Sequence, residues 1–427
     1  MILQKTCFDF LRFAMGNAEH LSFLPTDKDW RGFYTFCKRQ ALLGVGFAAV
    51  EKLYSVRAVE YGISSSDGGL CPKDLQMKWM AAVLKIERLN KKLNIQCKDL
   101  TDLLEQNKLH CCILKGQGNL LNYPEYLKLR RNSGDIDVWC TAPEKGLPIA
   151  VQTGKDSVEY VNYHGRKAVI EYVQMWNRSV AGKEKRALYH HIETPDFRGT
   201  EVEVHYRPSF CHSPLRNIRM QKWFTEQVDI CMKNKNQFGY ATPTPSVNVV
   251  YQMCHMFSHL FETGLGLRQL MDYYFLLMQW HKQVWSVECG VWSEDKQDIQ
   301  SQGMWAEGLG VPVMSKEEIM HVLRSFGMAK FVAAVMWVLH EVFAMPTHYY
   351  ICEPNEKEGR RLLTEIMQGG NFGQYDERGK DMKNGGTIPH AIWKLKHVMR
   401  LVSSYPEEAL WEPVFRVYHL LWRVFHN

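Results

Sequence analysis

The chain has 427 residues, of which 46% are hydrophobic and 23% are charged. This composition excludes a disordered chain and is typical of a globular protein with a core of ordinary size. The net charge of +6 and the 12 cysteines without a Cys-x-x-Cys pair argue against a dedicated nucleic-acid binder and against a zinc ribbon. The first 20 residues show no signal-peptide pattern, and no apolar run approaches the ~20 residues of a membrane span. We therefore expect a cytoplasmic protein without membrane contact.

The first hundred residues predict helices. Thr26 and Asp29 form a capping-box pattern at the start of one of them, and apolar residues recur at helical spacing over 33–50. A second helical pattern runs from Pro72 to about residue 104, with apolar residues on one face and charged residues on the other. The glycine- and serine-rich stretch 62–69 between them predicts a loop.

Short runs rich in Val, Ile and Tyr replace the helical periodicity near residue 109. They predict strands of a mixed or antiparallel sheet, over 109–114, 136–140, 158–163 and 168–175. Residues 188–193 and 201–206 flank a turn that contains Pro195 and Gly199, and they predict a hairpin.

Helical periodicity returns after Pro208 and predicts helices over 247–278, 316–343, 355–367 and 389–425. Gly264 and Gly266 interrupt the first of them, and we expect Pro406 and Pro413 to break the last one. Residues 281–310 show no period and predict a long loop.

These elements predict an α+β fold in three parts. We expect an amino-terminal helical region over 1–108, an α/β core with a mixed sheet over 109–209, and a carboxy-terminal helical domain over 210–427.

Two carboxylates stand two residues apart where a predicted strand begins, in Gly134-Asp135-Ile136-Asp137. Because strand side chains alternate between faces, Asp135 and Asp137 point the same way. Paired hard oxygen ligands suit Mg²⁺, and with a third carboxylate they can hold two ions for in-line phosphoryl chemistry. An isolated Asp-x-Asp pattern is weak evidence, so the surrounding residues decide its meaning.

The third carboxylate has a candidate in the second strand of the predicted hairpin. Glu201, Glu203 and His205 share one face of that strand, and Val202 and Val204 share the other. This pattern predicts a strand that lines a wet site on one side, although the edge of a solvated sheet has the same pattern.

Several further motifs follow one another in order around the aspartate pair. They are Lys115-Gly116-Gln117-Gly118, Tyr123-Pro124, Arg131 before Gly134-Asp135-Ile136-Asp137, Glu203-Val204-His205, His255, Gly266-Leu267-Arg268 and Asp272. Together they resemble a group of uncharacterised bacterial nucleotidyltransferases, closely over about 109–208 and more loosely through both helical regions. The resemblance implies the mixed-sheet core of the nucleotidyltransferase superfamily. It also implies transfer of a nucleoside monophosphate from a nucleoside triphosphate (NTP) to an acceptor, with release of pyrophosphate.

The resemblance also implies roles for individual residues. Asp135, Asp137 and Glu203 would bind Mg²⁺ (or Mn²⁺) and act in catalysis, with Glu203 assisting deprotonation of the acceptor hydroxyl. The residues implied to bind the nucleotide are Lys115, Gly116, Gly118, Arg131, Gly134 and His205. Among these, the glycine turn would offer backbone amides to the phosphates, and the two cations would neutralise the leaving pyrophosphate. Glu203 is preferred to Glu201 because of its offset from His205.

Three questions stay open in the sequence. The acceptor is a small molecule, a sugar phosphate or a protein. The sequence is compatible with an active enzyme, with an inactive nucleotide-binding or regulatory protein, and with an enzyme that modifies RNA ends. The lack of a basic stripe counts against the last of these. His255 and His259 have a spacing that can hold zinc, but apolar neighbours explain an ordinary amphipathic helix. We expect His255, with Arg268 and Asp272, in a helical wall beside the nucleotide pocket.

Overall fold

The computed structural model describes residues 4–60, 69–153, 157–288, 313–381 and 386–426. Its amino-terminal part consists of helices α1 (Gln4–Met15), α2 (Asp27–Arg39), α3 (Leu43–Glu60) and α4 (Lys73–Gln106), as predicted. Apart from Gly69, the predicted loop at 62–69 lies outside the described residues.

Helix α2 begins where the capping-box pattern places it. The Asp29 N–H donates to Thr26 Oγ1 (3.3 Å), and the Thr26 N–H donates to Asp29 Oδ2 (2.9 Å). These bonds satisfy amides that the first helical turn leaves without partners. The buried face of α2 then packs Phe33 on Phe10 of α1, with the ring centroids 4.2 Å apart, and burial of each such ring contributes roughly 1.5–3 kcal/mol.

The central sheet is small and mixed, as predicted. It consists of β1 (His110–Ile113), β2 (Ile136–Thr141), β6 (Val202–His205) and β5 (His191–Glu193), in that spatial order. Strand β2 runs parallel to β6, whereas β1 and β5 run antiparallel to their neighbours. The short helix α5 (Gln117–Leu120) follows β1, and strands β3 (Leu147–Gln152) and β4 (Val158–Tyr163) form a separate antiparallel pair.

The central sheet has one apolar face and one face that carries polar residues. Ile136, Val138 and Val204 are buried in a core that also contains apolar residues of α4 and of α6 (Gly165–Ala181). Alternation along the strands turns Asp137 and Glu203 to the opposite face. The fold therefore presents these carboxylates on the side of the sheet away from α4 and α6.

The predicted strand over 168–175 is wrong, because this segment lies within helix α6. Val169, Tyr172 and Val173 are buried at the three- and four-residue spacing of a helix that packs on a sheet. The run of Val and Ile favoured a strand, but packing against the sheet overrides that weak preference.

The carboxy-terminal part is helical, as predicted. Its helices are α7 (Pro214–Glu226), α8 (Val228–Lys233), α9 (Pro245–Glu262), α10 (Leu267–Glu288), α11 (Lys316–Ser325), α12 (Ala329–Phe343), α13 (Glu356–Gly369), α14 (Thr387–Leu401) and α15 (Pro406–His426). The predicted loop over 281–310 is wrong for 281–288, where α10 continues, and 289–312 lie outside the described residues. Pro406 begins α15, but Pro413 lies inside this helix, because a proline removes one hydrogen bond without ending a helix that packs along its length.

The helices before and after the sheet share one hydrophobic core. Residues of α1 and of α12 belong to the same buried cluster, and Asn17 Nδ2 donates to the carbonyl of Phe343 (2.7 Å). The division at residues 108 and 209 therefore stays a prediction. None of the helices in the described ranges combines the length and the apolar character that a membrane crossing requires.

Candidate active site

Asp137 and Glu203 lie side by side on neighbouring strands. In the parallel pairing of β2 with β6, Asp137 is the register partner of Glu203, and residues in register share a face of the sheet. Glu201 precedes β6 and is exposed. Asp135 precedes β2 and lines the cavity described below. The structure thus brings Glu203, and not Glu201, against Asp137.

Lys115 and His205 complete a cluster around the buried Asp137. The Leu114 N–H donates to the Asp137 carbonyl (2.9 Å), which places Lys115 beside the start of β2. Lys115 Nζ lies 3.1 Å from Asp137 Oδ1, and His205 Nε2 lies 3.0 Å from the same oxygen. His205 Nε2 is also 3.3 Å from Glu203 Oε2. We call Lys115, Asp137, Glu203 and His205 the cavity cluster.

Two polar atoms of the cavity cluster have no hydrogen-bond partner in the described part of the chain. Asp137 is 1% exposed, and its Oδ2 has no hydrogen-bond partner among the described residues. The same is true of His205 Nδ1. A buried polar atom without a partner costs about 1–3 kcal/mol, so a bound cation or ligand at this place would remove a penalty that the free protein carries.

Mutual charge keeps Glu203, His205 and Lys115 ionised at neutral pH. Burial alone would raise the pKa of Glu203, but the hydrogen bond from His205 and the charge of His191 lower it to about 2. Burial opposes the charge on His205, whereas Asp137 and Glu203 raise its pKa to about 9. Burial likewise opposes the charge on Lys115, and the neighbouring carboxylates, Asp137 first, outweigh it and raise the pKa. Glu203 is thus an anion, and His205 and Lys115 are cations.

The β5–β6 hairpin adds two histidines that the motifs did not indicate. His191 is the register partner of His205. The Nδ1 atom of His191 lies 3.7 Å from Glu203 Oε2 and 2.8 Å from His190 Nε2. Burial, followed by the charge of His205, lowers the pKa of His191 to about 4. The hairpin prediction already contained the signal, because an antiparallel register brings position 191 near 205.

Potential metal ligands converge in two sets. Within the described part of the chain, Asp137, Glu203 and His205 bring one ligand atom each to within 4.8 Å of one another. His190, His191 and His205 do the same. Carboxylate oxygens suit Mg²⁺, whereas imidazole nitrogens suit transition-metal ions. Asp135 belongs to neither set.

The glycine turn is tight and satisfies part of its own backbone. Gly116 has a φ of 62°, a conformation that side chains disfavour. The Gly118 N–H donates to the Lys115 carbonyl (3.2 Å), so this amide is used inside the turn. An added Cβ on Gly134 would have no atom within 4 Å. Phosphate binding by these three glycines stays a prediction.

Arg131 lies in the protein interior and does not line the cavity. Its Nε and Nη2 donate to the two carboxylate oxygens of Asp272, each at 2.8 Å, and Tyr123 Oη donates to Asp272 Oδ1 (2.6 Å). We call Tyr123, Arg131 and Asp272 the core cluster. Because Asp272 already engages the guanidinium, a contact between Arg131 and pyrophosphate stays a prediction without support from its position.

Lys115, Glu203 and His205 of the cavity cluster, but not Asp137, line a cavity of about 790 Å³, within the ~300–1,000 Å³ of typical ligand sites. Lys115, Asp135, Glu203 and His205 line one side. Helix α9 supplies His255 and His259, and α14 and α15 supply residues that include His390, Trp393, Lys394, Phe415 and His419. Of the predicted helical wall, His255 lines the cavity, whereas Arg268 and Asp272 do not. His255 Nε2 lies 3.0 Å from His259 Nε2, and neither belongs to the converging sets.

Comparison with known proteins identifies the family of the chain. No curated protein and no solved structure gives a significant match. A family described as "Uncharacterised nucleotidyltransferase" matches residues 26–288, which is more than half of the chain and runs from α2 through the sheet to α10. The chain therefore belongs to this nucleotidyltransferase family.

Proposed function

We propose that this nucleotidyltransferase moves a nucleoside monophosphate from an NTP to an acceptor, with release of pyrophosphate, and depends on Mg²⁺ or Mn²⁺. Membership of the family supports a reaction that transfers a nucleotide. The metal, the assignment of residues and the acceptor are the proposed parts. The observation that carries them is the buried Asp137 Oδ2, which has no partner among the described residues and belongs to a carboxylate that is in register with Glu203.

The residues present fit a divalent cation. Asp137 and Glu203 are hard oxygen donors on one face of the sheet, and a cation would satisfy the orphaned oxygen. Asp135 lines the adjoining cavity and supplies a third carboxylate near the substrate. When bound, the cation would stabilise negative charge on the phosphate oxygens and on the attacking oxygen.

The other two residues of the cavity cluster are His205, which would orient the carboxylates, and Lys115, which would neutralise negative charge on the phosphates. His205 contacts Asp137 and Glu203 at once and holds the two carboxylates in register. Lys115 is a cation at the cavity wall, placed to donate to phosphate oxygens and to offset the charge of the leaving pyrophosphate. The low pKa of Glu203 favours a role as metal ligand over a role as proton acceptor.

The cavity has room for more than the reacting phosphates. Its volume of about 790 Å³ lies in the upper part of the range for ligand sites. The walls from α14 and α15 lie beyond the family match, which ends at residue 288. We propose that the nucleotide lies against the sheet and that the acceptor, a small molecule, a sugar phosphate or a protein side chain, lies against α14 and α15.

The test is calorimetric titration of each NTP, with and without Mg²⁺, into the wild-type protein, Asp137→Asn and Glu203→Gln. We expect Mg²⁺-dependent binding of at least one NTP by the wild type and its loss in both variants. Glu201→Gln is the matched control, because Glu201 is an exposed glutamate next to β6, and it should bind as the wild type does. Equal binding by all four proteins, or by none, would refute the assignment. Binding without subsequent release of pyrophosphate, across a set of acceptors, would favour the inactive alternative.

A further inference from the structure

The set of three histidines lies beside the carboxylates, and two of its members, His190 and His191, have no role in the proposed transfer reaction. His190 and His191 lie at the start of β5, and His205 lies at the end of β6. One ring nitrogen from each lies within 4.8 Å of the others. The ring centroids of His190 and His191 lie 5.4 Å and 5.2 Å from that of His205.

The surroundings of this set favour a ligand. His191 and His205 are buried, and His205 Nδ1 has no hydrogen-bond partner among the described residues. Phe210 packs against His190 with the ring centroids 5.0 Å apart, which shields one side of the group. All three histidines line the cavity, so a bound ion would be reachable from it.

We propose that His190, His191 and His205 form a second cation site, made of nitrogen donors, that takes a divalent transition-metal ion of the Zn²⁺ type. Neutral imidazole is a good ligand for such ions and a poor one for Mg²⁺, so binding of the ion would release the proton that His205 carries in the free protein. Three histidines leave a fourth coordination position free toward the cavity, as in zinc sites that bind water or substrate. The site goes beyond the proposed function and does not require a cation on Asp137.

The first test leaves the proposed site intact and measures the zinc ligands directly. X-ray absorption at the zinc edge, on protein loaded with one equivalent of Zn²⁺, should show scattering from two or more imidazoles. The same spectrum from His255→Asn/His259→Asn should be unchanged, because that pair also has nitrogens 3.0 Å apart in the same cavity. Oxygen ligands alone, or imidazole scattering that disappears in this control, would overturn the proposal.

The second test removes the site. Competition with a chromophoric chelator should show Zn²⁺ affinity at least tenfold weaker in His190→Asn/His191→Asn than in the wild type and in His255→Asn/His259→Asn. Equal affinity in the three proteins would contradict the site. Mg²⁺-dependent NTP binding, measured in parallel on the wild type, reports on the proposed nucleotide site, so failure of the proposed function is read separately from failure of this site.

A second inference rests on the surface of the last two helices. Ile388, Ile392, Leu395 and Met399 of α14 are 45–73% exposed, and Leu410, Val414, Val417 and Leu421 of α15 are 52–63% exposed. Each set follows spacings of four, three and four residues, which is the stripe that packs against another helix. Trp411, Tyr418 and Leu420 are also exposed on α15.

This surface has the size and charge pattern of an interface. Eleven large apolar side chains, each presenting on the order of 100 Å², reach the about 800 Å² per partner of a standard interface. Glu407 is the one exposed charged residue among the described positions of α15, whereas the exposed charges of α14 include Lys396 and Arg400. Glu407 is paired with Arg216, and Arg416 with Glu412, so these charges of α15 are already neutralised within the chain and do not oppose burial of its apolar stripe.

We infer that α14 and α15 pack against the same helices of a second copy of this chain, as a four-helix bundle. A two-fold interface uses one patch twice, and stripes of this spacing on two adjacent helices match the packing of such bundles.

The test is the mass in solution, by sedimentation or by light scattering, over protein concentrations from 1 to 100 µM. We expect a wild-type dimer and a Val414→Glu/Val417→Glu monomer with unchanged melting temperature. Tyr160→Glu is the matched control, because Tyr160 is 75% exposed on β4, and it should stay dimeric. A wild-type protein that is monomeric would overturn the inference, even if it binds anionic lipid vesicles through this face. A Val414→Glu/Val417→Glu protein that stays dimeric would also overturn it.

Discussion

The cavity cluster and the core cluster each combine positive and negative side chains, and they differ in whether every buried polar atom has a partner among the described residues. Both Asp272 oxygens accept hydrogen bonds from Arg131, and one also accepts from Tyr123. In the cavity cluster, Asp137 Oδ1 has two cationic neighbours, while Asp137 Oδ2 has no partner among the described residues. The carboxylate of the core cluster is therefore fully hydrogen-bonded, whereas the carboxylate of the cavity cluster has one oxygen without a partner among the described residues.

This difference separates a structural ion pair from a binding site. A buried ion pair that is fully hydrogen-bonded offsets the cost of its own desolvation and needs nothing further. An incompletely satisfied cluster at the wall of a cavity carries a penalty that a ligand removes. Charged residues near the motif therefore do not all belong to the chemistry, and the partners of each atom decide which ones do.

The largest expected effect is on turnover in Asp137→Asn. Since a catalytic cation supplies several kcal/mol of transition-state stabilisation, and each 1.36 kcal/mol is a factor of ten, we expect the rate of nucleotidyl transfer to fall at least about 1,000-fold. The rate of pyrophosphate release at saturating NTP measures it. A rate within tenfold of the wild type would place the catalytic carboxylate at another residue.

Substitution in the core cluster should lower the stability of the fold rather than the rate of the reaction. Asp272→Asn leaves the buried Arg131 guanidinium without its counter-charge, and we expect the free energy of unfolding to fall by about 3–5 kcal/mol. Urea titration followed by circular dichroism measures this loss. An Arg131→Met/Asp272→Leu double variant removes both charges and should lose less. If Asp272→Asn loses less than 1 kcal/mol, the core cluster does not stabilise the fold in this way.

An intermediate effect is expected for Lys115→Met. A hydrogen bond to a charged group contributes about 1.5–3 kcal/mol, so loss of the ammonium should weaken NTP binding by roughly 10- to 100-fold. Titration calorimetry with Mg²⁺ gives the affinity, and a nucleoside without phosphates serves as the control ligand, whose affinity should not change. An unchanged NTP affinity would show that Lys115 only balances the charge of Asp137.

The sequence predicted much of this arrangement because much of it is local. The alternation through Glu203 and His205 and the capping box of α2 each need only a few consecutive residues, whereas the pairing of Asp135 with Asp137 at one metal stays a prediction. The fold class followed from the same patterns, and the α+β architecture with a mixed sheet is confirmed.

The rest depends on contacts between residues distant in sequence. Arg131 and Asp272 are separated by 141 positions, and no local pattern indicates that they pair and remove Arg131 from the cavity. Helix α6 was predicted as a strand because its Val and Ile content is compatible with both structures until the sheet provides a surface to pack on. His190 was missed because its role depends on the register of β5 with β6.

The smallest expected effects distinguish two glycines of the motif. Gly116 has a φ of 62°, so Gly116→Ala should lower the free energy of unfolding by about 1–3 kcal/mol through backbone strain. The methyl group added by Gly134→Ala has no atom within 4 Å, so this substitution should change the free energy of unfolding by less than about 0.5 kcal/mol. Thermal melts of both variants measure the difference. A Gly134→Ala protein that keeps its stability but loses NTP affinity would support nucleotide binding at this position.

The most direct measurement is the location of Mn²⁺ by anomalous scattering in crystals of the protein with a non-hydrolysable NTP analogue. We predict an anomalous peak in contact with Asp137 Oδ2 and Glu203, with the triphosphate on the Lys115 side of the cavity. A Mn²⁺ peak distant from these carboxylates, or no peak while the analogue is bound, would contradict the account.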